Sequence, residues 1–92
     1  MRGVESVSSG GVFDTDAWLR ALGRRVRIMR LTREMTQDDL AVAAGMSRSF
    51  VSLIEKGTHG VDVVRLLRLA AALDVPLAEL LGAIPPDRRL PG

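Results

Sequence analysis

Residues 37–57 contain two short segments that can each form a helix, joined by a turn. Small Ala41 lies four positions before Gly45, and apolar Val51 and Ile54 follow three positions apart. Two helices joined by a tight turn cross at a steep angle, so that only a small side chain fits where they touch. Glycine accepts the positive φ that such a turn requires. The segment therefore predicts two crossed helices, which Val51 and Ile54 fix to the rest of the chain.

Apolar spacing predicts three more helices around this pair. The first begins near Asp14–Asp16, where a carboxylate can cap it, and ends near Arg33, with one apolar face formed by Trp18, Leu22, Val26 and Met29. In the crossed pair, one helix starts at Thr36, in a sequence close to a capping box, with Leu40, Ala43 and Ala44 as its buried side; the other runs from Ser47 to Lys56.

The fourth predicted helix runs from a cap at Asp62 to about Leu73, and Pro76 separates it from a fifth at Leu77–Leu81. Its predicted core stripe is Val63, Leu66, Leu67, Ala70 and Leu73. Five short helices with brief connections predict a compact all-α domain over residues 14–84. The small and polar residues 1–13 predict a flexible tail, and the proline-containing residues 85–92 an irregular one.

Composition narrows the class of protein. The 92 residues include no cysteine, which excludes disulfides and thiolate metal sites, and no apolar run is long enough to span a bilayer. We therefore expect a soluble protein of the cytoplasm with no cofactor and no bound metal. The sequence has no nucleophile–base pair and no glycine-rich phosphate loop, so an enzyme is not expected.

Positive charge is concentrated in the first helix. Six arginines and no acidic residue lie between Ala17 and Arg33, although the whole chain carries a net charge of only +2. Such a segment favours a polyanionic partner, and the alternative is a solvated helix face.

The segment TQDDLAVAAGMSRSFVSLIEKG resembles the helix-turn-helix of the phage repressor and Cro-like regulators, the xenobiotic-response-element (XRE) family. The resemblance extends from about Leu22 through VVRLLRLAAALDVPLAELL, and it implies a lambda-repressor-like DNA-binding domain. The chain departs from the family pattern in three places. The loop after Gly57 lacks a proline, Val64 and Ala71 replace polar residues, and Glu34 stands where many members have glycine.

The resemblance implies a role for each matching position, with residues 47–56 in the major groove of DNA. The expected base-reading residues are Arg48, Ser49 and Ser52, and the expected phosphate-binding residues are Thr36, Gln37, Ser47, Lys56 and Arg27. An arginine side chain fits guanine O6 and N7, so Arg48 is the strongest candidate for specificity. Alternatives stay open: Arg48 could bind only phosphate, Gln37 could be merely solvated, and Phe50 could pack in the core or contact a thymine methyl.

Two further predictions concern an ion pair within the chain and a contact between two chains. The resemblance implies a structural ion pair between Arg30 and Glu55. Apolar residues left over after the core is assigned predict a homodimer through the fifth helix and its flank, at Leu77, Leu81 and Ile84. Trp18 and Ile84 could instead cover one end of the same core.

The leading hypothesis is a small stand-alone transcription regulator that binds a palindromic double-stranded DNA operator as a homodimer, with no membrane or small-molecule partner evident. The alternative is a protein-interaction adapter, or an antitoxin-type module, that reuses the same fold.

Overall fold

A computed structural model describes residues 14–82, and these form five α-helices without a strand among them. In chain order the helices are α1 (Thr15–Thr32), α2 (Gln37–Ala44), α3 (Arg48–Lys56), α4 (Val63–Ala72) and α5 (Leu77–Leu81). The all-helical prediction is confirmed, and the helix bounds agree with the predicted ones to within a residue or two. The two predicted tails and Ile84 lie outside the described residues. None of the described helices combines the length and the apolar character needed to cross a bilayer.

Short polar side chains begin the first four helices. The oxygen of each N-cap residue accepts a hydrogen bond from a backbone N–H three residues later, which satisfies a donor that the helix leaves unpaired; these residues are Asp14, Thr36, Ser47 and Asp62. The second and third helices end at glycines in the left-handed conformation, Gly45 with φ 68° and Gly57 with φ 73°. The turn between α2 and α3 is therefore closed by Gly45, as the sequence predicts.

The core lies between the five helices. α1 packs against α3 and α5, α2 packs against α3 and α4, and α4 packs against α5. Among the described residues, the large side chains that are completely enclosed are Leu40, Val51, Ile54, Leu69, Leu73, Leu80 and Val26. Because Val51 and Ile54 bury one face of α3 in this core, the opposite face remains for other contacts.

A glycine in the middle of α1 sets the distance between α1 and α3. A Cβ atom added to Gly23 would lie 2.4 Å from the carbonyl oxygen of Ile54 and 2.6 Å from that of Glu55. Real Cβ atoms do not approach backbone oxygens so closely, so any larger residue would push the two helices apart. The α1 backbone also passes over Gly57, whose added Cβ would lie 2.7 Å from the Cα atom of Arg20.

Three predicted core residues are exposed in the structure. Ala43 faces solvent while Ala41 is buried, and Val63 and Leu67 are 64% and 49% exposed while Leu69 is completely buried. These predictions were wrong because both helices have apolar residues on adjacent stripes, so spacing alone does not select the stripe that faces the core. The packing of α2 on α3 and α4, and of α4 on α5, makes that selection.

Glu34 occupies a conformation that usually belongs to glycine. Its φ is 57°, in the left-handed region, where a Cβ atom crowds the following carbonyl group. This geometry gives a physical reason for the glycine that the resembled family often has at this position. Asp74, after α4, has nearly the same φ of 58°.

Candidate nucleic-acid interface

The exposed face of α3 forms one wall of a shallow concave surface. Gln37, Arg48, Ser49, Ser52, Leu53 and Lys56 line it. Val51 and Ile54, on the opposite face of α3, are buried, so the amphipathic pattern of this helix fixes which side chains remain available. The structure thus brings together the three predicted base-reading residues with Gln37 and Lys56.

Hydroxyl groups cap the starts of both α2 and α3. The Ser47 hydroxyl oxygen accepts from the backbone N–H of Phe50 at 3.0 Å, and the Thr36 oxygen accepts from that of Asp39 at 2.9 Å. A hydroxyl can accept and donate at the same time, so capping leaves the Ser47 O–H group free to donate to an anion, whereas the Thr36 hydroxyl also interacts with the Asp39 carboxylate. Helix N-termini also carry partial positive charge, which favours a phosphate at these positions.

Asp39 completes the cap of α2 by accepting a hydrogen bond from the backbone N–H of Thr36 at 2.9 Å. This bond, together with the Thr36 hydroxyl, lowers the pKa of the Asp39 carboxyl below its ordinary value. The carboxylate of Asp62 is stabilised in the same sense by the backbone N–H and the guanidinium of Arg65, which lower its pKa. Both helix starts therefore depend on ionised carboxylates.

An ion pair lies directly beneath the concave surface. The Nε atom of Arg30 donates to Glu55 Oε2 at 2.6 Å and its Nη2 donates to Oε1 at 3.0 Å, with side-chain exposures of only 7% and 4%. Nη1 of the same arginine donates to the carbonyl oxygen of Met35 at 2.8 Å. Hydrogen bonding to Glu55 raises the pKa of Arg30 above its ordinary value, against the opposing effect of burial.

Glu55 also holds Gln37, the residue at the start of α2. The Gln37 Nε2 atom donates to Glu55 Oε1 at 3.1 Å. One N–H of the amide is used in this way, and its second N–H and its carbonyl oxygen remain available to a ligand. Sequence reasoning did not find this contact, because the two residues are eighteen positions apart and only the crossing of α2 and α3 brings them together.

The arginines of α1 divide into two groups. Arg30 is buried, and Arg25 donates through Nε to the carbonyl oxygen of Glu79 in α5 at 3.0 Å. Arg33, directly after α1, donates to the carbonyl oxygen of Met29. Arg20, Arg24 and Arg27 are exposed and make no hydrogen bond or ion pair with any residue from 14 to 82. The structure therefore leaves three of the six arginines, including the predicted phosphate ligand Arg27, available to an outside anion.

Phe50 lies away from the concave surface, on the side of α3 that faces α4. Its half-buried ring packs against the core, and the guanidinium carbon of Arg65 lies 4.9 Å from the ring centroid. Asp62 holds the same arginine through an ion pair. Because one face of the ring is covered by a cation, these contacts support a packing role for Phe50.

Comparisons with known proteins agree with this geometry. A family model described as "Helix-turn-helix domain" matches residues 21–89. The transcriptional regulator SlrR of Bacillus subtilis is 38% identical over 63 residues, which are 67% of this chain and 41% of SlrR. The chain thus spans about two fifths of the length of that relative.

Two crystal structures have the same arrangement of helices. The restriction-modification controller protein C.AhdI of Aeromonas hydrophila has a TM-score of 0.67 and 39% identity, with 67% of this chain and 94% of C.AhdI covered. A hypothetical transcription factor from Neisseria, NHTF, has a TM-score of 0.69 and 28% identity, with coverages of 85% and 87%. The chain therefore belongs to the helix-turn-helix family of DNA-binding transcription regulators that includes phage repressors and restriction-modification controller proteins.

Proposed function

We propose that this protein binds double-stranded DNA sequence-specifically, without catalysis, and regulates transcription from a palindromic operator. The observation that carries the proposal is the exposed polar face of α3, where Arg48, Ser49 and Ser52 stand beside two helix starts that can hold phosphate. An α-helix fits the major groove, and an arginine side chain can donate two hydrogen bonds to guanine. Such a regulator acts where bacterial DNA lies, in the cytoplasm, and residues 14–84 are its DNA-binding unit.

Phosphate contacts come from groups around this face. Ser47 and the second N–H of Gln37 can donate to phosphate oxygens, and Thr36 lies at the partially positive start of α2. Lys56 and Arg27 add positive charge without a partner inside residues 14–82. These contacts supply affinity that does not depend on sequence, and the α3 side chains supply discrimination. The division of roles leads directly to a test.

The test begins with binding of the protein to a duplex library with a randomised central segment, measured by fluorescence anisotropy over a range of salt concentrations. For a DNA-binding protein, the logarithm of the binding constant should fall linearly with the logarithm of the salt concentration, with a slope of about −0.9 per neutralised phosphate. Selection from the same library then identifies the preferred duplex. Undetectable binding at low salt would refute the proposal.

Two variants separate reading from anchoring. Arg48→Ala should relax the preference at one base pair by about 5-fold to 150-fold, because a bidentate contact to guanine is lost. Gln37→Ala should weaken binding to all duplexes by the same factor, because a phosphate contact does not depend on sequence. An equal loss on every sequence for Arg48→Ala would contradict its assigned role.

We also propose that the protein acts as a homodimer, with an interface centred on α4 and not, as predicted from the sequence, on α5. Leu77 and Leu81 of α5 are partly buried and pack against their own core. Three side chains of α4 are more exposed and lie on one stripe: Val63, Val64 and Leu67 are 64%, 57% and 49% exposed. Ile28 and Leu31 of α1 and Val42 of α2 are exposed as well, but on other helices. An uncovered apolar stripe of this kind is typical of an association surface, and α5 lies next to it.

Sedimentation equilibrium at micromolar concentrations tests the dimer. Val64→Lys combined with Leu67→Lys should give a monomer, since two buried apolar contacts would be replaced by charges. Val42→Lys is the matched control, because Val42 is 83% exposed on α2 and lies outside the α4 stripe. A strictly monomeric wild-type protein, or a double variant that remains dimeric, would contradict this interface.

A further inference from the structure

The first three residues of α2 each make a different contact. Gln37 donates to Glu55, and Asp39 accepts from the backbone N–H of Thr36. Asp38, between them, is not needed for the cap, and its Oδ1 atom lies 3.9 Å from the Nε atom of Arg48. This ion pair joins the start of α2 to the start of α3 across the turn.

The atoms that form the pair are informative. Asp38 faces Nε, and the two terminal nitrogens of the Arg48 guanidinium make no hydrogen bond to any residue from 14 to 82. Those terminal nitrogens can approach guanine O6 and N7 together, while a carboxylate at Nε restricts how the long side chain turns. A free arginine side chain gives up much rotamer freedom on binding, and a partial restraint before binding reduces that loss.

The charge of Asp38 acts in the same direction. Both side chains are largely exposed, at 67% for Arg48 and 70% for Asp38, so the carboxylate lies at the surface that would approach DNA. A carboxylate there repels phosphate oxygens and competes with them for Arg48. It therefore disfavours the use of Arg48 as a simple phosphate contact, which is the alternative role for this arginine.

We propose that Asp38 is a specificity-determining positioning residue, which holds Arg48 in the orientation for reading a guanine and withholds it from phosphates. This inference rests on the proposed DNA-binding function and deepens it. Asp38 contributes selectivity at the expense of non-specific affinity, so its removal should raise non-cognate binding without raising cognate binding.

The experiment compares wild-type protein, Asp38→Asn and Asp38→Ala on the duplex that wild-type protein selects from the randomised library, and on a shuffled duplex of the same composition. In both variants, we expect affinity for the selected duplex to fall or stay level and affinity for the shuffled duplex to rise. Their ratio should drop by about twofold to fivefold, which is the range of an exposed ion pair. The loss of preference should concentrate at the base pair that Arg48→Ala also relaxes.

Asp16→Asn is the matched control, because Asp16 is an exposed acid in the first turn of α1 and forms no ion pair within the described residues. It should leave the ratio unchanged. In an Arg48→Ala background, Asp38→Asn should also leave the base preference unchanged. Thermal melts should show all Asp38 variants folded, since the Thr36–Asp39 cap is intact.

The outcomes are distinguishable. An equal rise in affinity for both duplexes would show that Asp38 acts only as a general negative charge, and would overturn the inference while leaving DNA binding in place. An unchanged ratio would overturn it as well. If wild-type protein binds neither duplex, the proposed function itself fails, and the inference fails with it.

Discussion

The buried pair of Arg30 and Glu55 provides a quantitative test of how this domain is stabilised. Both side chains are almost completely enclosed, and four hydrogen bonds converge on them: two within the pair, one to the Met35 carbonyl and one from Gln37. Removing one partner leaves the other as an uncompensated buried charge, which costs about 3–5 kcal/mol. A small domain has a total stability of about 5–10 kcal/mol, so either single change is severe.

The assay is urea unfolding of wild-type protein, Arg30→Met, Glu55→Gln and the double variant. We expect each single variant to lose about 3–5 kcal/mol, and the double variant to lose less than the sum by at least about 2 kcal/mol, since neither charge then remains buried alone. The amide that replaces the Glu55 carboxylate in the double variant can still accept from Gln37, which keeps the site hydrogen-bonded. Additive losses would refute the reasoning, because they would show that the two side chains contribute independently.

Three further predictions concern the backbone and the caps. Gly23→Ala should destabilise the domain by about 1–3 kcal/mol in urea unfolding, because the added Cβ would meet the Ile54 carbonyl; this outweighs the better helix propensity of alanine. Gly60→Ala is the control, since nothing lies within 4 Å of its added Cβ. Glu34→Gly should stabilise by about 1 kcal/mol by relieving the left-handed strain, and Asp74→Gly should gain less because aspartate tolerates that region better; a loss at Glu34 would contradict the strain argument. Folding lowers the pKa of Asp39, so its stabilising contribution is present above the unfolded carboxyl pKa of about 3.9 and is lost as pH falls through the folded value. Asp39→Asn should therefore flatten the fall in melting temperature below about pH 4. An unaltered acid profile would rule this out.

The sequence predicted the helices and their ends well, for reasons that are local. Ser47 and Asp62 cap the helices that follow them, and Gly45 ends α2, because these effects depend only on neighbouring backbone groups. Val51 and Ile54 were predicted to be buried because α3 has a single apolar face.

Features that depend on how helices cross were not predictable from local pattern. Val63 and Leu67 have the same spacing as a core stripe, and only the placement of α4 on α2 and α5 shows that Leu69 is the buried residue. Gly23 could have been noticed as a glycine in the interior of an amphipathic helix, which usually has a packing reason. The Arg30–Glu55 pair followed only from family resemblance, since nothing in a separation of twenty-five residues indicates a contact.

The candidate site shows the same division. The three α3 side chains and Gln37 could be placed on one surface from the two-helix pattern and the resemblance. Their supporting contacts, to Glu55 and Asp38, join residues from different helices and become visible only in the folded molecule.

The close approach of α1 to α3 at Gly23 links the charged and the polar surfaces of the domain. With no side chain between them, the backbones of α1 and α3 are in direct contact, so the two helices move as one body. Arg20, Arg24 and Arg27 therefore stand at fixed offsets from Arg48. Under the proposed function, a duplex attracted to those arginines would meet α3 in a position that the α1–α3 contact determines. An attraction that carries no sequence information would then set the register in which the sequence is read.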